Sequence, residues 1–104
     1  MDKYLIFLKP EFEADIISVQ DFESFFKKHN FSILKESNYI DSQNNQVIKG
    51  GVIIAKNQDI SIKLLQSQNL VITFYDSSAL EILGIFSKFL SIPTYICGEN
   101  DEEY

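Results

Sequence analysis

Two helix-forming segments, each placed between apolar runs of strand length, constrain the fold of this chain more than any other sequence feature. Helices are predicted over about residues 19–29 and 78–90, and the segments 47–56 and 60–64 between them have the pattern of a β-hairpin. The resulting order is β-α-β, hairpin, β-α-β. It predicts an α+β domain with a ferredoxin-like antiparallel sheet, an extra hairpin and two helices on one face.

The strands are short apolar runs that end at turn or helix signals. They are predicted over residues 3–9, 31–40, 47–56, 60–64, 70–75 and 94–97. The first run is apolar enough for a buried central strand, and Pro10 ends it. The polar cluster 41–45 predicts a turn. Gly50-Gly51 predicts a β-bulge, because glycine pairs inside strands mark bends.

Both helices have recognisable start signals. Ser18 stands three residues before Asp21, and Ser78 stands three residues before Glu81. At this spacing the Ser hydroxyl accepts a hydrogen bond from the backbone N–H three residues later, and the carboxylate at that position accepts one from the Ser N–H. Ser18 and Ser78 are therefore the predicted N-caps. Asn30 is predicted to end the first helix in a left-handed conformation.

The second helix is apolar around most of its circumference. Its polar positions form a narrow stripe made of Glu81, Gly84, Ser87, Lys88 and Ser91. The remaining apolar surface exceeds what one sheet face covers, so the helix is either deeply buried or in contact with a partner. A homodimer through this helix is one candidate assembly, and Phe86→Glu should break it if Phe86 lies in the interface.

Length and charge limit the classes of function. The 104 residues predict one domain over residues 1–104. Fifteen acidic residues stand against nine lysines, there is no arginine, and the net charge is −6. Such a field repels polyanions and attracts basic proteins, so we expect a basic protein partner and no nucleic acid.

The sequence also predicts where the protein works. No apolar run approaches the roughly 18 residues of a membrane span. The start Met1-Asp2-Lys3 lacks the basic region and cleavage site of a signal peptide. We therefore expect a cytoplasmic protein without membrane contact, and the single Cys97 fits a reducing compartment.

Few residues are candidates for catalysis. His29 is the only histidine and is expected at a helix end, where it interacts with the helix dipole. Cys97 is expected to be a small buried apolar residue. Gly50-Gly51 lacks the Lys-Ser/Thr of a phosphate-binding loop. We therefore predict no enzymatic activity, no cofactor and no metal site.

Several stretches follow one another in a characteristic order. An apolar strand ends in Lys-Pro and an acidic residue, and a helix then ends before a strand that begins with Phe. These stretches are residues 4–11, 16–17, 25–28 and 31–34, followed by the strand 70–75 and the helix 78–90. This pattern resembles the nucleoside diphosphate kinases, whose first strand ends in Lys-Pro-Asp. The resemblance covers a little over half of the chain, and Lys9-Pro10-Glu11 is its most specific motif.

The resemblance implies a protein without kinase activity. In that family the nucleophile is a His before a Gly-Ser-Asp-Ser segment, and Cys97-Gly98 stands at the matching place in this chain. A thiol is a poor substitute for an imidazole that must accept and return a phosphoryl group. With no arginine, only Lys9 is a candidate to neutralise phosphate charge. The implied function is a catalytically silent nucleotide-binding or regulatory module.

Two carboxylate clusters suggest a different function. They are Glu11, Glu13 and Asp15 after the first strand, and Glu99, Asp101, Glu102 and Glu103 at the end of the chain. An acidic face on a rigid scaffold can block the basic active site of a toxin such as a nuclease. Small acidic domains without catalytic residues are typical of bacterial immunity proteins and antitoxins. A toxin-neutralising binding protein is therefore the leading hypothesis, with the silent kinase-like module as the alternative.

Overall fold

The computed structural model describes residues 4–40 and 47–104. Its elements are β1 (Leu5–Pro10), α1 (Val19–Lys28), β2 (Ser32–Ile40), β3 (Val47–Lys56), β4 (Ser61–Leu65), β5 (Leu70–Phe74), α2 (Ser77–Phe89) and β6 (Thr94–Gly98). Each begins and ends within about two residues of its predicted bounds, and the α+β class is confirmed. The turn predicted at 41–45 lies outside the described residues.

The six strands form one antiparallel sheet in the order β2-β3-β4-β5-β1-β6. β1 lies between β5 and β6, so its prediction as an interior strand is confirmed. The unit β5-α2-β6 encloses one strand, β1. The unit β1-α1-β2 encloses three strands, because the chain returns from the far edge through β3 and β4.

The core lies between one face of the sheet and both helices. Ile6 and Leu8 of β1 contribute to this face, and α1 and α2 meet above it through aromatic rings. The Phe86 ring of α2 lies 5.0 Å from the Phe25 ring and 5.8 Å from the Phe22 ring of α1, between centroids. Such ring pairs add to the stabilisation from burial alone. The helices and the sheet therefore form one packed layer pair.

The first helix begins and ends as predicted. The Ser18 hydroxyl accepts a hydrogen bond from the Asp21 N–H at 3.2 Å, which satisfies one of the free amides of the first turn. After the C-cap His29, Asn30 adopts a φ of 68°, in the left-handed region. Both the Ser18 cap and the Asn30 stop are confirmed.

The start of the second helix differs from the prediction. Asp76, not Ser78, is the N-cap, and its carboxylate accepts the Ser78 N–H at 2.8 Å. Ser78 lies inside the first turn, where its amide is the donor. A charged acceptor also complements the positive end of the helix dipole better than a hydroxyl, which favours the Asp76 cap.

The predicted β-bulge is confirmed. The β2–β3 register changes from Glu36 opposite Val52 to Asn38 opposite Lys49, which leaves one extra residue on β3. Gly51 lies at this position with a φ of 90°, a backbone conformation that favours glycine.

Candidate functional site

The acidic end of the chain is an ordered part of the fold. After β6 the chain turns back, and Cys97 and Glu103 form an antiparallel bridge. The Gly98 N–H donates to the Glu102 carbonyl at 2.8 Å, and the Tyr104 N–H donates to the Ile96 carbonyl at 3.1 Å. We call residues 98–104 the acidic hairpin. It presents four of the seven predicted binding carboxylates on a fixed backbone next to β6.

Local chemistry supports this turn. Asp101 has a φ of 62°, in the left-handed region that Asp tolerates better than most residues. Gly98 leaves room for the Glu102 side chain, because a Cβ at residue 98 would lie 1.7 Å from the Glu102 Oε1 atom. The positions of Gly98 and Asp101 therefore suit the tight return of the chain.

The second acidic cluster is held by other parts of the fold. We call residues 11–15 the acidic loop. The Glu11 N–H donates to the Pro93 carbonyl at 3.0 Å, which ties the loop to the start of β6. At its other end the Asn69 side chain donates to the Asp15 carbonyl at 2.7 Å and accepts the Ile17 N–H at 2.8 Å. Both ends of the loop are thus anchored.

One residue from each of the two carboxylate clusters lines a shared groove. Glu11 and Glu103 line the same groove between α2 and β6. Glu13 instead lines a cleft with Lys9 and Tyr95, on the other side of the loop. The remaining predicted carboxylates lie apart from the groove: Asp15 at the far end of the loop, and Glu99, Asp101 and Glu102 in the turn of the hairpin.

The α2–β6 groove encloses about 360 Å³, and its lining residues are Glu11, Gly84, Ser87, Lys88, Thr94, Tyr95, Ile96, Glu103 and Tyr104. The Ser87 and Thr94 hydroxyls are hydrogen-bonded to each other, which links α2 to β6. Gly84 adds no side chain to the lining. A Cβ at residue 84 would meet no heavy atom within 4 Å.

A tyrosine cluster adjoins the acidic hairpin. The rings of Tyr4 and Tyr75 stack at 4.8 Å, and the Tyr104 ring lies 5.9 Å from that of Tyr75, between centroids. The pKa of Tyr104 is raised by partial desolvation and by the negative charge of Glu102. Tyr104 is therefore a neutral phenol at physiological pH.

The outer surface of α2 is apolar beside the groove. Ile85 is 45 % exposed and Phe89 is 50 % exposed, one helical turn apart, and we call this pair the apolar ridge. Phe86 is fully buried against α1, so it is not accessible to a second copy of the chain. Any homodimer through α2 would use the apolar ridge instead.

The opposite, helix-free face of the sheet has a different charge. The strand register places Lys9, Lys56 and Lys63 on this face. Among the strand residues whose side chains are described, Glu36 is the carboxylate on the same face. Lys9 is on the strand next to β6, close to Cys97 and the acidic hairpin, whereas Lys56 and Lys63 are on β3 and β4, toward the other edge of the sheet.

Cys97 and Lys9 lie near each other. They are on neighbouring strands and on the same sheet face, since Lys9 pairs with Tyr95 and Phe7 pairs with Cys97. Cys97 is only 4 % exposed. Desolvation raises the pKa of its thiol, and Lys9 only partly opposes this effect. A buried neutral thiol is a poor nucleophile at neutral pH.

Comparisons with protein-family models, curated proteins and solved structures found no match to this chain. Across residues 4–40 and 47–104, no group of three or more His, Cys, Asp or Glu residues is placed to hold a metal ion. In the same part of the chain, neither helix is long and apolar enough to cross a membrane.

Proposed function

We propose that this chain is a non-catalytic binding protein that captures a basic protein, in the manner of an immunity protein or antitoxin that neutralises a toxin such as a nuclease. The observation that carries this proposal is the acidic hairpin, whose backbone is held by main-chain hydrogen bonds at the edge of the sheet and so presents its carboxylates from a fixed position. A toxin that binds polyanionic nucleic acid presents the complementary basic surface.

Order in the free protein matters for such a function. A disordered acidic tail would lose conformational entropy on binding, whereas an ordered hairpin has already lost it on folding. The carboxylates also steer a basic partner during diffusion, which raises the association rate. The apolar ridge next to the groove supplies the kind of contact found at the centre of interfaces, with the carboxylates as a polar rim.

The remaining parts of the hypothesis concern fold type and location. The spatial order β4-β5-β1-β6 supports a ferredoxin-like core, to which β2 and β3 would be an addition at one edge. We include this classification, and a cytoplasmic location, in the proposal.

The experiment has two stages. First, the immobilised domain is exposed to lysate of the source cells, and proteins eluted by salt are identified by mass spectrometry. The purified partner is then tested for association rate against wild type, Glu103→Lys and Asp59→Lys. The two variants change net charge equally, but Asp59 lies in the distant β3–β4 turn. We expect Glu103→Lys to slow association about tenfold, and equal rates for both variants would refute the proposal.

A second candidate function is a silent nucleoside diphosphate kinase-like module. The proximity of Lys9 to Cys97 on one sheet face is the observation that favours it. In this case a nucleotide, not a protein, would bind near Lys9. A homodimer through the apolar ridge is a further alternative, and sedimentation of wild type and Ile85→Glu at high concentration tests it directly.

A further inference from the structure

The two edges of the sheet differ in what lies beside them. At the β6 edge the acidic hairpin returns along the strand, and its main chain bonds to Ile96 and Gly98. At the β2 edge the strand order ends, so within the described residues β2 has a neighbouring strand on one side only. The main-chain N–H and C=O groups on its other side are a template for one more strand. An extended segment is therefore the kind of partner that this edge fits.

The described part of β2 has little that would keep another strand away. Edge strands are commonly protected by a proline, a bulge or an outward-pointing lysine. Residues 32–36 contain no proline, and the extra residue of the bulge lies on β3. The Nζ atom of Lys35 lies 2.7 Å from the Glu23 Oε1 atom of α1, on the helix side of the sheet. Leu34, at the centre of these residues, is 56 % exposed.

The order of side chains along β2 makes this edge complementary to itself. When a strand pairs antiparallel with its own copy about a two-fold axis, the residue on the axis lies opposite itself. With the axis at Leu34, the two Leu34 side chains meet on the helix-free face. Glu36 of one copy then lies opposite Ser32 of the other, and Ser32 is paired with Lys56 on β3.

This register also pairs opposite charges. Glu36 and Lys56 are on the helix-free face, and neither has an ion-pair partner in the described part of the chain. Across the axis their Cα atoms would be two strand spacings apart, about 9.6 Å, which the two long side chains can span above the small Ser32. Symmetry forms this pair twice. An axis at Lys35 would instead place two lysines directly opposite each other, which is unfavourable.

We infer that two copies of this chain pair antiparallel through β2, with Leu34 on the two-fold axis and a Glu36–Lys56 ion pair on each side of it. The two sheets then join into one continuous sheet. The acidic hairpins lie at its outer edges, each five strand spacings, about 24 Å, from β2 of its own copy. Their mutual repulsion is therefore screened at physiological salt. The inference is independent of the proposed function and leaves both acidic hairpins accessible.

Sedimentation equilibrium at increasing concentration measures the dimer, and charge-reversed variants locate it. Glu36→Lys and Lys56→Glu each place like charges together twice per dimer, so each variant alone should dimerise about tenfold more weakly than wild type. An equal mixture of the two variants restores both ion pairs and should regain wild-type association. Glu81→Lys and Lys88→Glu, at exposed positions of α2, make the same changes of net charge and should leave dimerisation unchanged.

Disulfide formation tests the register. In a Cys97→Ala background, Leu34→Cys places two thiols directly opposite each other, at a Cα separation of about 4.5–5.5 Å that a disulfide accepts. Oxidation should therefore join the two copies covalently. Ser32→Cys is the matched control, and it should not cross-link, because Glu36 of the other copy lies opposite residue 32.

A wild-type protein that stays monomeric at millimolar concentration would overturn the inference. So would a mixture of the charge-reversed variants that associates no better than either variant alone. If Glu36→Lys does not fold, Lys56→Glu and Leu34→Cys still decide the result. A dimer that Ile85→Glu breaks and Lys56→Glu leaves intact is formed by α2, and the assignment to β2 is then wrong.

Discussion

The substitutions Gly84→Ala and Gly51→Ala should change the free energy of unfolding in opposite directions. Residue 84 has helical backbone geometry, and its Cβ would enter open space, so Gly84→Ala keeps all contacts and gains helix propensity. This gain is about 1 kcal/mol. For a domain of this size the entropy of unfolding near the midpoint is about 0.2 kcal/mol/K, so the melting temperature should rise by about 4–5 °C.

Gly51→Ala provides the matched control. Residue 51 has a φ of 90°, and an added Cβ would lie 2.7 Å from the Gln66 Oε1 atom. Left-handed geometry costs a residue with a Cβ about 1–2 kcal/mol, which lowers the melting temperature by about 5–9 °C. Both variants are measured by calorimetry, with urea unfolding as a second method.

The result for Gly84→Ala also tests the groove. A melting temperature that falls or stays at the wild-type value would mean that residue 84 is in contact with something in the free protein. The reasoning from open space would then be refuted. A second copy of the chain would be the first occupant to examine, by sedimentation at increasing concentration.

Three further predictions concern other parts of the molecule. Phe86→Ala should cost about 3–5 kcal/mol in urea unfolding, because the side chain is fully buried among aromatic rings, whereas Phe89→Ala at the half-exposed ridge should cost far less. The raised pKa of Cys97 means that the folded state holds the thiol proton more tightly than the unfolded state does. The contribution of this thiol to the free energy of unfolding is therefore complete below pH 9.0 and declines as pH rises above that value. Cys97→Ala should reduce this decline in stability. If the protein is a toxin inhibitor, millimolar ATP should leave the melting temperatures of wild type and Lys9→Ala unchanged; a rise in wild type that is lost in Lys9→Ala would favour the kinase-like module instead.

Much of the fold could be predicted because its signals are local. Alternation of apolar residues, turn clusters and the Ser18 cap each depend on a few neighbouring residues. The Asp76 cap was missed because Ser78 and Glu81 offered a competing local pattern, and the choice depends on where the chain leaves β5. The bulge at Gly51 could be predicted because paired glycines weaken a regular strand and are favoured where its backbone bends.

The candidate site depended on contacts that no local pattern encodes. Glu11 and Glu103 line one groove because β6 pairs with β1 and the chain then turns back, which sequence spacing alone does not reveal. The apolar ridge was missed because the apolar residues of α2 are spread around most of its circumference, so periodicity does not determine which of them face the core. A signal was present at Gly84, a glycine in a helix interior, but it was grouped with the polar stripe.

The acidic hairpin has a consequence for how this surface could change over evolution. Its pairing with β6 uses main-chain groups: the Gly98 and Tyr104 amides donate, and the Glu102 and Ile96 carbonyls accept. Substitutions at Glu99 or Glu103 therefore leave the hydrogen bonds of the turn intact. The binding chemistry of the hairpin can diverge while its backbone stays in place, so related domains could acquire different partners without any change of fold.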